Sequence, residues 1–183
     1  MLDCVSYAAG DLGCNMSFAL KGTMAIFWTQ FMKMDLWYAL LLIVVQVWDA
    51  INDPLMGALM DKAFAKRQNK RGKFRPWLLR ATPLLAVTAI ALWTVPTLLD
   101  GIPLLVALFS FKILYEAAYT MFNIPMGSLL SAMSTSDAER ASLSSARGVG
   151  SMFGNMIPGM IGPVIIGLYG DRSSTGYMIT GVA

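Results

Sequence analysis

The chain has 183 residues, of which 56% are hydrophobic and 14% charged, with a formal net charge of +3 and a mean hydropathy of +0.59. A soluble domain carries about 25% charged residues, so the composition argues against a soluble protein and predicts an all-α polytopic membrane protein. With no histidine present, a histidine metal site or a Ser-His-Asp triad is excluded within these residues, and Cys4 and Cys14, about 15 Å apart along a helix, are too distant to pair.

The first predicted span covers about residues 5–31. It is punctuated by glycine and carries Asn15 and Lys21. The first ten residues hold no basic segment, so this span itself, rather than a cleavable signal peptide, is expected to direct insertion. A short connection, 32–35, leads to the second span at about 36–60.

That span contains Trp48-Asp49-Ala50-Ile51-Asn52-Asp53-Pro54. Four residues turn a helix by about 400°, so Asp49 and Asp53 share one face with Asn52 beside them. A charged Asp near the bilayer centre costs roughly 2.5–3.5 kcal/mol on insertion scales. Two of them require a cation, a proton or a water-filled cavity. Oxygen donors suit hard cations, here Na⁺ or a proton equivalent. The structural alternative is that basic residues on neighbouring helices neutralise both acids.

The loop Asp61–Arg75 follows. Eight of the 14 Lys and Arg lie between residues 62 and 80. A basic run can mark nucleic-acid binding, but between two spans it marks a cytoplasmic loop, so no nucleic-acid partner is expected. Pro76 fits the first turn of the third span, 76–98. Asp100, Gly101 and Pro103 form a turn into the fourth span, 103–133, in which Pro125 is expected to kink the helix and Lys112 and Glu116 are spaced for an internal ion pair.

Ser134 to Asp137 reads as a loop, with Ser136 or Asp137 as the N-cap of a fifth span, 138–169. The Gly and Ser repeats there, including Gly148, Ser151 and Gly154, suit close helix packing. Residues 170–175 read as a turn, and a sixth span starting at 176 has only eight residues before the chain stops. Alternation of spans around the basic loop puts the N-terminus in the cytoplasm. Trp37, Trp77 and Trp93 are expected in an interfacial belt.

Several strings together resemble one family. Ser6-Tyr7 with Gly10-Asp11-Leu12-Gly13, the Trp48–Pro54 segment with Met56-Gly57, Arg71-Gly72-Lys73-Phe74-Arg75-Pro76-Trp77, Tyr119-Thr120 and Asn123-Ile124-Pro125 are similar to the melibiose permease-like sugar:cation symporters, the glycoside-pentoside-hexuronide:cation branch of the major facilitator superfamily. The resemblance implies twelve spans in two six-helix bundles in the cell (inner) membrane, of which this chain is most of the N-terminal one and lacks the C-terminal six-helix half.

It also implies site residues. The cation (Na⁺, or H⁺ or Li⁺) falls to Asp49, Asn52, Asp53 and Thr120, and the sugar to Asn15, Tyr119, Asn123 and Arg147. Asp61 with Arg71, Lys73 and Arg75 gates the cytoplasmic side. No catalytic residue and no cofactor beyond the coupling ion are expected; the partners are a small polar solute, a monovalent cation and the lipid bilayer. Asn15 and Asn123 stand where melibiose-type members are commonly acidic, which opens the site to a uronide, and Gly127 stands where an aromatic is expected, which leaves room for a lipid-like amphiphile. Lys21 matches no family position; it is expected to neutralise the aspartates, face a water cavity or snorkel.

The function expected is therefore cation-coupled symport of a glycoside, uronide or related sugar by alternating access. The alternatives are a carrier of lysolipid-like amphiphiles, a membrane enzyme holding Mg²⁺ and a diphosphate on the aspartates, and a non-transporting truncated product.

Overall fold

The computed structural model describes residues 2–66, 72–133, 136–169, 176–177 and 179–180. Among them are five long helices: α1 (Leu2–Ile26), α2 (Asp35–Lys66), α3 (Arg75–Leu98), α4 (Gly101–Met133) and α5 (Asp137–Tyr169). Residues 176–177 and 179–180 are also helical. The expected turn at 170–175, Arg67, Lys70 and Arg71 of the basic run, and Ser134 and Thr135 lie outside the described residues.

Helices α2 to α5 are each long and apolar enough to cross a membrane. Spans two to five thus coincide with the apolar runs, because in lipid a backbone satisfies its own N–H and C=O groups only by staying helical or closing a barrel. Large apolar side chains stay exposed along these helices, Leu36, Ile102 and Leu168 each above 70%. Such surface on every helix is what acyl chains would cover.

The helix ends have local causes. α1 passes into a π-helical turn, Phe27–Phe31, in which the Met32 N–H reaches back to the Phe27 carbonyl at 3.0 Å. Pro76 sits in the first turn of α3, where its missing N–H leaves nothing unpaired. Leu99 is extended and Gly101 has φ +65°, a left-handed conformation open to glycine, so two residues suffice to turn α3 into α4. Of the two candidate caps for α5, Ser136 takes the position: its carbonyl accepts the Arg140 N–H at 3.0 Å.

One boundary is corrected. α2 runs to Lys66, about one and a half turns beyond the expected end at 60. Asp61 and Lys62 therefore extend the helix past the apolar run and into the basic segment, because polar side chains do not break a helix once it leaves lipid.

Packing pairs α1 with α5 and α3 with α4, and sets α2 against α4. The main core gathers where the end of α1 meets α2, α3 and α4, around Phe27, Trp28, Leu41, Leu92, Trp93 and Leu108. Trp93 is 2% exposed, its ring centroid 5.8 Å from that of Phe27. It belongs to this core and not to an interfacial belt; nearness to a span end did not reveal that its face of α3 turns inward.

The α1–α5 seam is built from small residues. Gly150, Gly154, Pro158 and Gly162 recur every fourth position and are all buried. A Cβ on Gly150 would collide with the Ala8 carbonyl, and one on Gly154 with the Leu12 carbonyl. Gly148, expected in this seam, faces open space: two residues on a helix differ by about 200°, so the seam follows Gly150.

Candidate cation and substrate sites

On α2 the acid motif winds as its spacing requires. Asn52 is 4% exposed, Asp49 is half-buried and Asp53 is exposed. The Thr120 hydroxyl, itself buried on α4, donates to Asp53 Oδ1 at 2.8 Å. The four residues implied for the cation thus sit on one helix contact, three on α2 and one facing them from α4.

Two polar atoms there are orphaned. Asp49 Oδ1 and the Asn52 side-chain nitrogen are buried without a hydrogen-bond partner. A half-turn of the Asn52 amide would put a neutral oxygen where its unpartnered nitrogen now stands. Buried polar groups are otherwise nearly always satisfied, so the two atoms stand out as lacking a partner at this contact. The donor set is two carboxylates, an amide and a hydroxyl, the oxygen chemistry that suits a hard cation.

Among the described residues, neither acid is held in a salt bridge. Ion pairs in the bundle include Lys21–Glu116 at 2.7 Å, Lys112–Glu116 at 2.7 Å, Lys73–Asp61 at 2.6 Å and Arg147–Asp11 at 2.9 Å. None includes Asp49 or Asp53. Lys21, whose role the sequence left open, makes no salt bridge to the aspartates but binds Glu116 across the α1–α4 contact. The Lys112–Glu116 pair forms as its spacing implied.

The substrate residues divide into two groups. Around α1 and α5, Arg147 Nε donates to Asp11 Oδ1 at 2.9 Å, and the Asn15 amide donates to Asp11 Oδ2 at 2.9 Å. Asn155 donates to Asn15 Oδ1 at 3.0 Å. On α4, Tyr119 stacks on Tyr115 at 6.4 Å between centroids, with the Lys21 ammonium 4.5 Å from its ring centre. Asn123, half-buried, lies one turn further along α4.

Asp11 and Asn155 were missed as site residues. Asp11 is 2% exposed and pairs with the guanidinium of Arg147, the residue expected to contact the sugar. The signal was available: a carboxylate inside a span demands a partner, and of the two arginines of the fifth span, Arg140 and Arg147, Arg147 lies deeper. Replacing Arg147 with Ala leaves Asp11 buried and unpaired, with an expected destabilisation of about 3 kcal/mol. The double variant Asp11→Asn with Arg147→Gln should recover most of it, as read by thermal unfolding in detergent.

Lys73, two residues before α3, pairs with Asp61 at 2.6 Å. Arg75 is exposed and Arg71 lies outside the described residues. Asp61 is 71% exposed, so Asp61→Asn should change thermal stability by less than about 1 kcal/mol.

A separate cavity of about 430 Å³ lies between α1, α3 and α4, lined by Gly10, Gly13, Cys14, Ser17, Thr82 and Phe122 among others. Its lining is mostly apolar and includes none of the eight site residues.

Comparison with known proteins follows this geometry. Residues 6–183 match the family described as MFS/sugar transport protein. The chain belongs to that family. Among relatives of the MFS/sugar transport proteins, the uncharacterized symporter YnaJ of Bacillus subtilis is 31% identical over 98% of this chain and 39% of its own length. The isoprimeverose transporter of Lactiplantibacillus pentosus is 29% identical over 93% of this chain and 35% of its own. The sodium-dependent lysophosphatidylcholine symporter 1 of Xenopus tropicalis is 29% identical over 81% of this chain and 28% of its own. The chain therefore spans less than half the length of these relatives. The melibiose permease-like resemblance carried by its motifs is consistent with this family, and the relatives are transporters rather than enzymes.

Proposed function

We propose that this chain is one helical bundle of a two-bundle, cation-coupled symporter for a neutral glycoside, placed in the cell membrane with its N-terminus in the cytoplasm. One observation carries the reading: two acids on a membrane-spanning helix stand free of any salt bridge, with a threonine on α4 turned to one of them and buried orphan atoms on Asp49 and Asn52. A small cation supplies what these groups lack. Na⁺ is favoured by the sodium-dependent relative; H⁺ and Li⁺ remain outcomes of the assay.

The substrate set is Asn15, Tyr119, Asn123 and Arg147. Because Asp11 cancels the Arg147 charge, this region is neutral, and hydroxyls suit its amides and the remaining guanidinium N–H groups better than a carboxylate does. A neutral glycoside is therefore preferred to a uronide, in line with the isoprimeverose-transporting relative. Coupling arises if cation and solute both favour the same conformation; each then raises the affinity for the other by one common factor. Rocking of the two bundles about this midplane site gives alternating access, with the Asp61–Lys73 contact closing the cytoplasmic side. Asp61→Asn should accordingly raise turnover-limiting leak without unfolding the protein.

A second reading has its own observation. Gly127 opens onto free space where an aromatic platform would stack on a sugar ring, and a lysophosphatidylcholine symporter is among the relatives. Uptake of a labelled neutral glycoside, a uronide and a lysophospholipid, each with and without Na⁺, tests the choice. Na⁺-stimulated uptake confined to the glycoside is expected. Uptake of the lysophospholipid alone would sink the sugar reading.

A further inference from the structure

Lys21, Lys112 and Glu116 form a charged triad, buried at Lys112 and Glu116 and partly exposed at Lys21, that none of the roles above uses. Glu116 is 2% exposed and Lys112 4%. Glu116 accepts Lys21 on Oε2 and Lys112 on Oε1, both at 2.7 Å. Both ammoniums also sit over the Tyr115 ring, at 5.5 Å and 5.0 Å from its centre. A two-residue pair would have satisfied the carboxylate. A second lysine leaves the triad with one positive charge in excess, which is costly in a low-dielectric interior unless something opposite compensates it.

The compensating charge is close. Glu116 lies one helical turn before Thr120 on α4, and Thr120 bonds Asp53. Asp49 lies within electrostatic range of Lys21, Lys112, Glu116 and Asp53. Taken together, three carboxylates face two ammoniums, a single negative excess. One monovalent cation brings that to neutrality.

The geometry points to the Lys21–Glu116–Lys112 triad as the fixed counter-charge of the aspartate pair, a device that sets how strongly the cation site attracts its ion and matches it to one positive charge. The triad touches neither the cation nor the solute; it acts through the field at Asp49 and Asp53. Lys21 further links this field to the substrate side, because its ammonium lies on the face of Tyr119. This inference rests on the proposed cation site.

The charges make an unusual prediction for variants of the two-bundle transporter in proteoliposomes, read as the Na⁺ concentration for half-maximal uptake and its Hill coefficient. Lys21→Gln leaves a twofold negative excess and should lower the half-saturating Na⁺ about tenfold, the scale of one unit charge nearby in a partly buried site. Lys112→Gln should shift it in the same direction. Glu116→Gln leaves no excess and should raise half-saturation about tenfold or abolish stimulation. The double variants Lys21→Gln/Glu116→Gln and Lys112→Gln/Glu116→Gln each restore the single negative excess and should return to within about threefold of the parent.

A triad that merely staples α1 to α4 behaves in the opposite way, since the doubles then lose most. Doubles as impaired as the worse single, failure of both doubles to reach the membrane, or singles with unaltered Na⁺ dependence would each overturn the inference. The Asp53→Asn variant separates this failure from that of the cation site itself. Loss of Na⁺ stimulation there, with the triad variants unchanged, removes only the triad's role, whereas retained stimulation removes the site.

Discussion

In the two-bundle transporter, Asp53→Asn is expected to abolish Na⁺-stimulated uptake while solute exchange down a gradient persists. The reason lies in the division of labour at the α2–α4 contact. Asp53 is exposed on the bundle face, so its charge contributes little to the stability of these helices, and surface substitutions usually stay within about 0.5 kcal/mol. Asn keeps a carbonyl oxygen, so the Thr120 hydroxyl that now donates at 2.8 Å retains an acceptor. What disappears is one of two negative charges presented to the ion. At a partly exposed site, removing one of the two unit charges presented to the ion should cost on the order of tenfold or more in affinity. Uptake measured against Na⁺ concentration should therefore lose its saturable component, with an unchanged thermal midpoint. Intact Na⁺ stimulation in this variant would remove the cation site from α2.

A second large effect is expected at the α1–α5 seam. Gly154→Leu should prevent a stable bundle from forming, and Gly150→Ala should already lower stability by about 1–3 kcal/mol, the usual penalty of overpacking. The atoms in the way are backbone carbonyls, of Leu12 opposite Gly154 and of Ala8 opposite Gly150, and backbone cannot swing aside as a flexible side chain can. The only relief is separation of the two helices. That would also pull Arg147 from Asp11 and Asn155 from Asn15, bonds that span the same seam. Gly148→Ala and Gly159→Ala serve as internal controls. Both positions face open space, and alanine is a better helix former than glycine by up to about 1 kcal/mol. Thermal unfolding in detergent should rank Gly148→Ala at or above the parent and Gly150→Ala below it. Equal midpoints for the two would show that the seam is looser than these contacts imply.

Helix positions were legible because length and apolarity alone decide what can cross a bilayer, and four predicted spans match α2 to α5 to within a few residues, the α2 end excepted. The acid motif was legible for a related reason. Spacing by three and four residues fixes a shared face within one helix, so Asp49, Asn52 and Asp53 needed no tertiary information. Gly150 was harder to find than Gly148 or Gly154 because helices apolar on all sides carry little periodic signal. Which side meets a neighbour and which meets lipid is then set by packing.

The amino-acid sequence by itself determined the transmembrane helices, their order, the acid motif and the family-like strings, since each depends on residues close together along the chain. Only the tertiary structure decided the partners. Glu116 is 95 residues from Lys21, and Asp11 is 136 from Arg147. A buried charge must be matched, but the match is chosen by how each helix is rotated against the next, and that rotation is a property of the packed bundle.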